Sequence, residues 1–463
     1  MAISLHFLSN FNQNLISKKE NKELFGEVFT NFTLIDKMLD LLPQELFSNP
    51  NLKWLDPCAG TGYFMMKIYE RLMKGLKTEK KALKKRHHHI ITKQLYMIEI
   101  NKEHLPELFK IFGENANILL GNYLDYQNQE FDVIVGNPPF NINGLIKVPT
   151  NKENTKKNDG KTIWGRFVSN SLENLKVGGY ITFITPSIWL KRDHKMHNII
   201  INNSKNLKLG CLTNTETNKI FNGEAQTPTC YFTFQKCKKQ NNIERVVDIY
   251  NKHTDTFDKM ILIPNISIPL CYTTIIKKLI KWVNKVGSIN VIKTSMRPGY
   301  KGLKTSSNMN KNFPFMNIKT CTLNSINYIQ PQLQINYSNI KCSYHGIPKL
   351  VLAHKMYGFP YYDKNGVFGI SNRDNYVIIN KDHDEFIRLE EFLSLRMTLL
   401  IYETTRYRMK YLERYAFEFI PDITKIKDFP DKITEDSVAD FFNFNNLERL
   451  WIKNITKKNY LTF

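Results

Sequence analysis

With 463 residues, 42% hydrophobic and 23% charged, the chain has the make-up of an ordinary soluble globular protein and the length for two or three domains. Its 65 Lys and Arg against 43 Asp and Glu leave a formal net charge of +22. That excess points to a polyanionic partner, since phosphate neutralisation and counterion release dominate nucleic-acid affinity, although a Lys- and Asn-rich genomic bias would give the same sign. Seven scattered cysteines without a CxxC pair argue against a disulfide frame or a structural zinc site and suit reduced thiols inside a cell.

The opening MAISLHFLSN has neither the basic n-region nor the apolar core of a signal peptide. The longest apolar stretch, around Tyr180 to Leu190, is interrupted by Pro186 and is too short to span a bilayer. A soluble protein is therefore expected, in the cytoplasm of a bacterium or of an infected host cell.

From about residue 30 to 236, short apolar strands alternate with amphipathic helices, which predicts an α/β layer fold. The pattern predicts a helix over Thr33–Leu42, a strand at Lys53–Leu55, a glycine turn and a helix over Phe64–Met73. The stretch Lys74–Lys93, nearly a charge run, reads as a solvated basic loop. Its three adjacent histidines (87 to 89) cannot converge on one metal, because successive side chains point apart. Further strands are expected at Leu95–Ile98, Ile118–Leu120, Phe131–Val135, Tyr180–Ile184 and Thr229–Phe234, with helices over Asn101–Phe112 and Phe167–Leu175.

After Lys236 the character changes. Residues 1–240 are taken as one domain, 241–260 as a linker and 261–463 as a second, mixed α+β domain. The second is aromatic and basic, with helical periodicity over Glu385–Tyr415 and Ser437–Ile452.

Chemistry gathers at the predicted strand ends. Asn137-Pro138-Pro139-Phe140 follows the run FDVIVG, so two prolines stiffen a turn that sets an amide beside an aromatic ring. The amide oxygen and a proline carbonyl can accept both hydrogens of an exocyclic amine while the ring stacks on a flat base. Earlier, Asp56-Pro57-Cys58-Ala59-Gly60-Thr61-Gly62 ends the first strand. Its glycines let a ligand approach the backbone, and its acid suits an ammonium group. Glu99 ends the second strand, where an acid commonly grips ribose hydroxyls. Asp56, Glu99, Asn122 and Asn137 end successive strands and would line one edge of a parallel sheet.

In that order the chain resembles the gamma-type, amino-terminally catalytic DNA adenine-N6 methyltransferases of type II restriction–modification systems, of the Eco57I kind. The resemblance covers about residues 25–236 and extends more loosely through the carboxyl half. It implies a Rossmann-like seven-stranded methyltransferase sheet followed by a target-recognition domain with a helical carboxyl-terminal part. It implies S-adenosylmethionine as methyl donor, held by Thr30, Asp56, Cys58, Gly60, Gly62, Glu99, Asn122 and Tyr123, with no metal required. Phe25-Gly26-Glu27-Val28-Phe29-Thr30 matches the motif before the first helix, with Asn31 where the family usually has proline. Gly121-Asn122-Tyr123-Leu124 matches a segment that commonly reads Gly-Asp-Phe-Leu. Asn137, Pro138, Pro139 and Phe140 match the catalytic turn, and Phe221 falls where a second aromatic would face the base.

The function so implied is site-specific, adenine-specific methylation of double-stranded DNA. A flipped-out base would lie between Phe140 and Phe221, and the chain would be the modification half of a system whose restriction endonuclease is encoded separately. A methyltransferase acting on RNA bases and a catalytically idle DNA-specificity subunit stay open as alternatives. A glutamine methyltransferase would be much shorter. Pro421-Asp422 lacks the ExK partner of a nuclease centre. Lys147, Lys152, Lys156, Lys157 and Lys161 follow the catalytic turn in a long polar segment that could close over DNA, and 348–371 is the first candidate for base readout.

Overall fold

In the computed structural model the described residues are 17–127, 130–142, 161–238, 245–262, 266–296, 299–323, 331–354, 360–408 and 412–455. The chain divides into Met1–Leu262 and Ile263–Phe463. Among the described residues, no helix is long and apolar enough to cross a membrane.

The first unit is built on one nine-stranded sheet. Its strands are β1 (Trp54–Asp56), β2 (Leu95–Glu99), β3 (Asn117–Leu120), β4 (Phe131–Gly136), β5 (Leu175–Pro186), β6 (Ser204–Leu212), β7 (Thr229–Lys236), β8 (Arg245–Asn251) and β9 (Thr256–Leu262). They lie side by side in the order β9-β8-β6-β7-β5-β4-β1-β2-β3. The strands β3, β2, β1, β4 and β5 run parallel, and β7 runs against both its neighbours. This is the expected seven-stranded methyltransferase sheet, extended at one edge by β8 and β9.

Those two strands overturn the expected linker at 241–260. Arg245–Asn251 pairs parallel with β6 and turns back into Thr256–Leu262. The alternation of RVVDIYN buries Val247 and Ile249, a period of two that a free connector has no reason to keep. The basic loop is also corrected. Leu83–His89 is helical, Arg86 is buried with its guanidinium on the Lys80 carbonyl, and His87 pairs with the Tyr69 hydroxyl at 2.9 Å. One face of that charge run packs, and the rest is exposed.

Helices α1 (Lys19–Phe25), α2 (Phe32–Asp40), α3 (Tyr63–Gly75), α4 (Leu83–His89) and α5 (Leu105–Phe112) precede α6 (Trp164–Asn174). The faces of α2, α3 and α5 bury Leu34, Ile35, Met38, Met66, Ile68 and Leu108 in one core with Trp54 and Val133 of the sheet. Each such side chain contributes roughly 1.5–3 kcal/mol on burial. Asn31 explains its own departure from the family's proline. It is the N-cap of α2, its amide oxygen accepting from Leu34 N–H at 2.9 Å.

The second unit is α+β, with two four-stranded sheets and helices that include His383–Leu393, Arg396–Thr404, Glu435–Phe441 and Asn446–Asn454. The two long helical runs expected here are each broken. Leu395 is extended between the first pair, and Asn445 starts the last helix with a capping box to Glu448. Lys349–Ala353 and Tyr361–Asp363 pair antiparallel as two strands of one sheet. The connection at 355–359 and the lysine-rich segment 143–160 lie outside the described residues.

Candidate active site

A cavity of about 350 Å³ opens at the carboxyl ends of β1, β2 and β4, the edge where open α/β sheets bind ligands. Its walls come from residues 24–30, the turn after β1, Glu99 and His104, the loop after β3, and the turn after β4.

Asp56 ends β1 and is 1% exposed. Its Oδ1 accepts from Cys58 N–H at 3.1 Å, while Oδ2 has no hydrogen-bond partner among the described residues. Burial is the main force on this carboxyl. The Cys58 N–H opposes it and the Glu99 charge adds to it, and together they push the pKa up to about 7.

Gly60 takes φ +53°, and a Cβ there would meet nothing within 4 Å, so the turn leaves room above itself. Gly62, at φ +85°, sits where a Cβ would lie 2.7 Å from the Phe112 ring. Only glycine lets α5 close on this turn.

Glu99 is held from two sides. Its Oε2 accepts from Gly60 N–H at 2.6 Å and its Oε1 from Asn101 N–H at 2.7 Å. His104, which sequence reasoning missed, stands between two acids. Its Nε2 is 3.0 Å from Glu27 Oε2, and its Nδ1 makes a looser charge contact, 3.5 Å from Glu99 Oε1. Burial alone would lower the imidazole pKa, but the two carboxylates outweigh it and raise it to about 10. No local pattern marks His104. The only hint is a titratable residue in the turn that follows a strand-end acid.

Asn122 caps its own turn. Its amide oxygen accepts from Leu124 N–H at 3.1 Å and its Nδ2 donates to Asp125 at 2.9 Å. One lone pair of that oxygen stays available. Tyr123 lines the cavity but is 1% exposed, its hydroxyl paired with Ser171 at 3.0 Å.

The turn after β4 faces the opposite wall. Asn137 Nδ2 donates to the Val28 carbonyl at 3.2 Å and to Thr30 Oγ1 at 3.1 Å. A carbonyl can only accept, so the amide nitrogen must face it and the amide oxygen is turned the other way. The Asn137 backbone N–H reaches the Cys58 sulfur, which links the two turns. Pro138 is buried, whereas Pro139 and Phe140 are half-buried. Phe221 does not join them. It is 2% exposed in the core with residues of α2 and α3 and lies off the cavity wall, because its place just after the helix Asn214–Ile220 turns the ring inward. Here it packs in the core, and Phe140 likewise is not among the residues of the cavity wall.

A glycine turn after β1, an acid at the end of β2 and an Asn-Pro-Pro-Phe turn after β4 thus meet at one edge of a doubly wound, mostly parallel α/β sheet. Residues 11–221 match the family described as Eco57I restriction-modification methylase. A protein named "Uncharacterized adenine-specific methylase" from Mycoplasma pneumoniae is 45% identical over 82 residues, 16% of this chain and 19% of that one. "Modification methylase CviBIII" of Paramecium bursaria Chlorella virus NC1A is 26% identical over 192 residues, 39% of this chain and 42% of its own length. "Type II restriction enzyme and methyltransferase RM.Eco57I" of Escherichia coli is 29% identical over 150 residues, 30% and 15% respectively. The matched part of the chain spans less than half the length of each of these curated relatives.

Proposed function

We propose that the chain transfers a methyl group from S-adenosylmethionine to N6 of an adenine in duplex DNA, as the modification half of a restriction–modification system. The observation that carries this reading is the pinned Asn137 amide. With Nδ2 committed to Val28 and Thr30, the oxygen is left to accept from an exocyclic amine.

The residues present fit the cofactor. Asp56, with one orphaned oxygen, would take its ammonium group, and the open space over Gly60 would admit the body of the molecule. Glu99 would accept from the ribose hydroxyls, and Asn122 from the adenine amine through its remaining lone pair. Thr30, Cys58 and Tyr123 would supply wall contacts. When bound, S-adenosylmethionine supplies an electrophilic methyl on a sulfonium, which leaves as a neutral thioether.

Adenine N6 is hidden in a stacked duplex, so the base must be extruded into the site. Phe140 would stack on it. The Asn137 oxygen and the Pro138 carbonyl would accept hydrogen bonds from the two N6 hydrogens, drawing density toward nitrogen and aiming its lone pair at the methyl, and the proton that N6 sheds once methylated would pass to solvent. Positioning and fixed dipoles would then supply most of the rate gain. The net charge of +22 supports a phosphate-bearing substrate, and Ile263–Phe463 would be the recognition domain.

The test is transfer of labelled methyl from S-adenosylmethionine to duplex DNA, RNA and protein in turn. Transfer to DNA with product at adenine N6 is expected, and Asn137→Ala should lower it about 100- to 1000-fold while DNA binding persists. Transfer to RNA alone, or full activity of the variant, would overturn the reading.

A further inference from the structure

The segment Gly26–Thr30 touches both halves of the cavity. On one side Val28 and Thr30 hold the Asn137 amide, 109 and 107 residues away in sequence. On the other, Glu27 meets His104, which also faces Glu99. The side chains of Glu27, His104 and Glu99 are 10%, 10% and 6% exposed, so all three charges are nearly out of water. The Phe29 ring lies 6.3 Å from the His104 ring and 6.2 Å from Tyr63, closing the strap over the pair.

We propose, resting on the methyl-transfer reading above, that His104 is a positioning residue. By bridging Glu27 and Glu99 it fastens this strap to the Glu99 wall and so fixes, through Val28 and Thr30, the direction of the Asn137 amide oxygen. Without the imidazole, two nearly buried carboxylates would face each other with Asp56 close behind Glu99. Like charges so placed repel and strain the segments that carry them. The nearby Lys18–Glu103 pair is exposed and cannot substitute, because water screens it. The wall that would hold the ribose and the turn that would hold the amine thus share one mechanical link, and among the described residues His104 is the cationic member that joins Glu27 to Glu99.

Two variants separate this from simple structural support. Glu27→Gln keeps the His104–Glu99 contact but loosens the strap. Its kcat should fall about tenfold through misaimed chemistry, while its affinity for S-adenosylmethionine stays within about threefold. His104→Gln removes both contacts and should lower kcat and cofactor affinity together, each by about tenfold or more. Adding Glu27→Gln to His104→Gln should restore part of both, since one of the opposed charges is gone. The readouts are cofactor binding by calorimetry, kcat at saturating substrates and the thermal midpoint.

A folded Glu27→Gln enzyme with kcat within twofold of the wild type would overturn the proposal, and that variant decides alone if His104→Gln does not fold. A wild-type chain that bound no S-adenosylmethionine would overturn the methyltransferase reading and the proposal with it. Cofactor binding with an unaffected Glu27→Gln kcat would overturn the proposal only.

Discussion

Two buried aspartates, one in each unit, are treated in opposite ways. Asp363 is 3% exposed and fully matched. Lys349, itself wholly buried, donates to it and to the carbonyls of Tyr344, Ile347 and Phe368, while Val367 and Phe368 N–H groups reach the Asp363 oxygens at 2.9 and 3.0 Å. Asp56 is just as buried but has one N–H partner, an unmatched oxygen and a pKa near 7. Both acids cost desolvation. Only Asp363 recovers it within the chain. A carboxylate satisfied from within pins a loop, whereas Asp56 keeps an oxygen with no hydrogen-bond partner among the described residues.

The largest effect should come from breaking the matched pair. Lys349→Met strands the Asp363 charge and should cost about 3–5 kcal/mol in chemical denaturation, while cofactor affinity of protein that remains folded stays unchanged. Adding Asp363→Asn removes the stranded charge and should return much of that loss. An unchanged denaturation midpoint in the single variant would make Lys349 a spectator.

Asp56→Asn should do the reverse. Cofactor affinity should fall about 10- to 100-fold, near 2 kcal/mol, while the ligand-free protein keeps or gains stability at pH 8, where it no longer holds a buried charge. Loss of fold together with loss of binding would erase the contrast between the two acids.

A third expectation follows from titration. The Asp56 pKa in the folded chain is about 7 against an ordinary 3.8. The ligand-free fold therefore loses stability as pH climbs through that window, and the loss is complete above 7. A bound ammonium reverses this, so affinity for S-adenosylmethionine should rise up to roughly tenfold per pH unit below 7 and then level off. His104 carries the other sign of charge. Raised from 6.5 to about 10, it gives a stabilisation complete below pH 6.5 and lost as pH approaches 10. Binding calorimetry from pH 5.5 to 8, with Asp56→Asn as the flat control, checks the first slope. Smallest of all, Asn31→Ala removes one cap and should cost about 1 kcal/mol, read as a lower thermal midpoint.

Much of the first unit was legible because its signals are local. The runs around Trp54, Leu95, Phe131 and Tyr231 form strands where apolar β-formers predict them, and the glycine turn after Asp56 lies where its spacing places it. The strand Ser204–Leu212 was not legible, since SKNLKLGCL carries lysines and asparagine through its length and is buried at only some positions. Arg86 shows the same limit from the other side. In a charge run it reads as solvated, yet its neighbours in space bury it.

The sequence by itself determined the sheet class, the glycine turn and the Asn-Pro-Pro-Phe turn, because a turn needs particular residues within a few positions of each other. Tertiary structure decided which atoms of those motifs are already engaged. Asn137 is oriented by Val28 and Thr30 and Glu99 by Gly60, and Phe221 is turned into the core, all by groups tens to more than a hundred residues away. Contacts across such separations leave no period and no spacing in the chain, so they become visible only where the backbone brings the partners together.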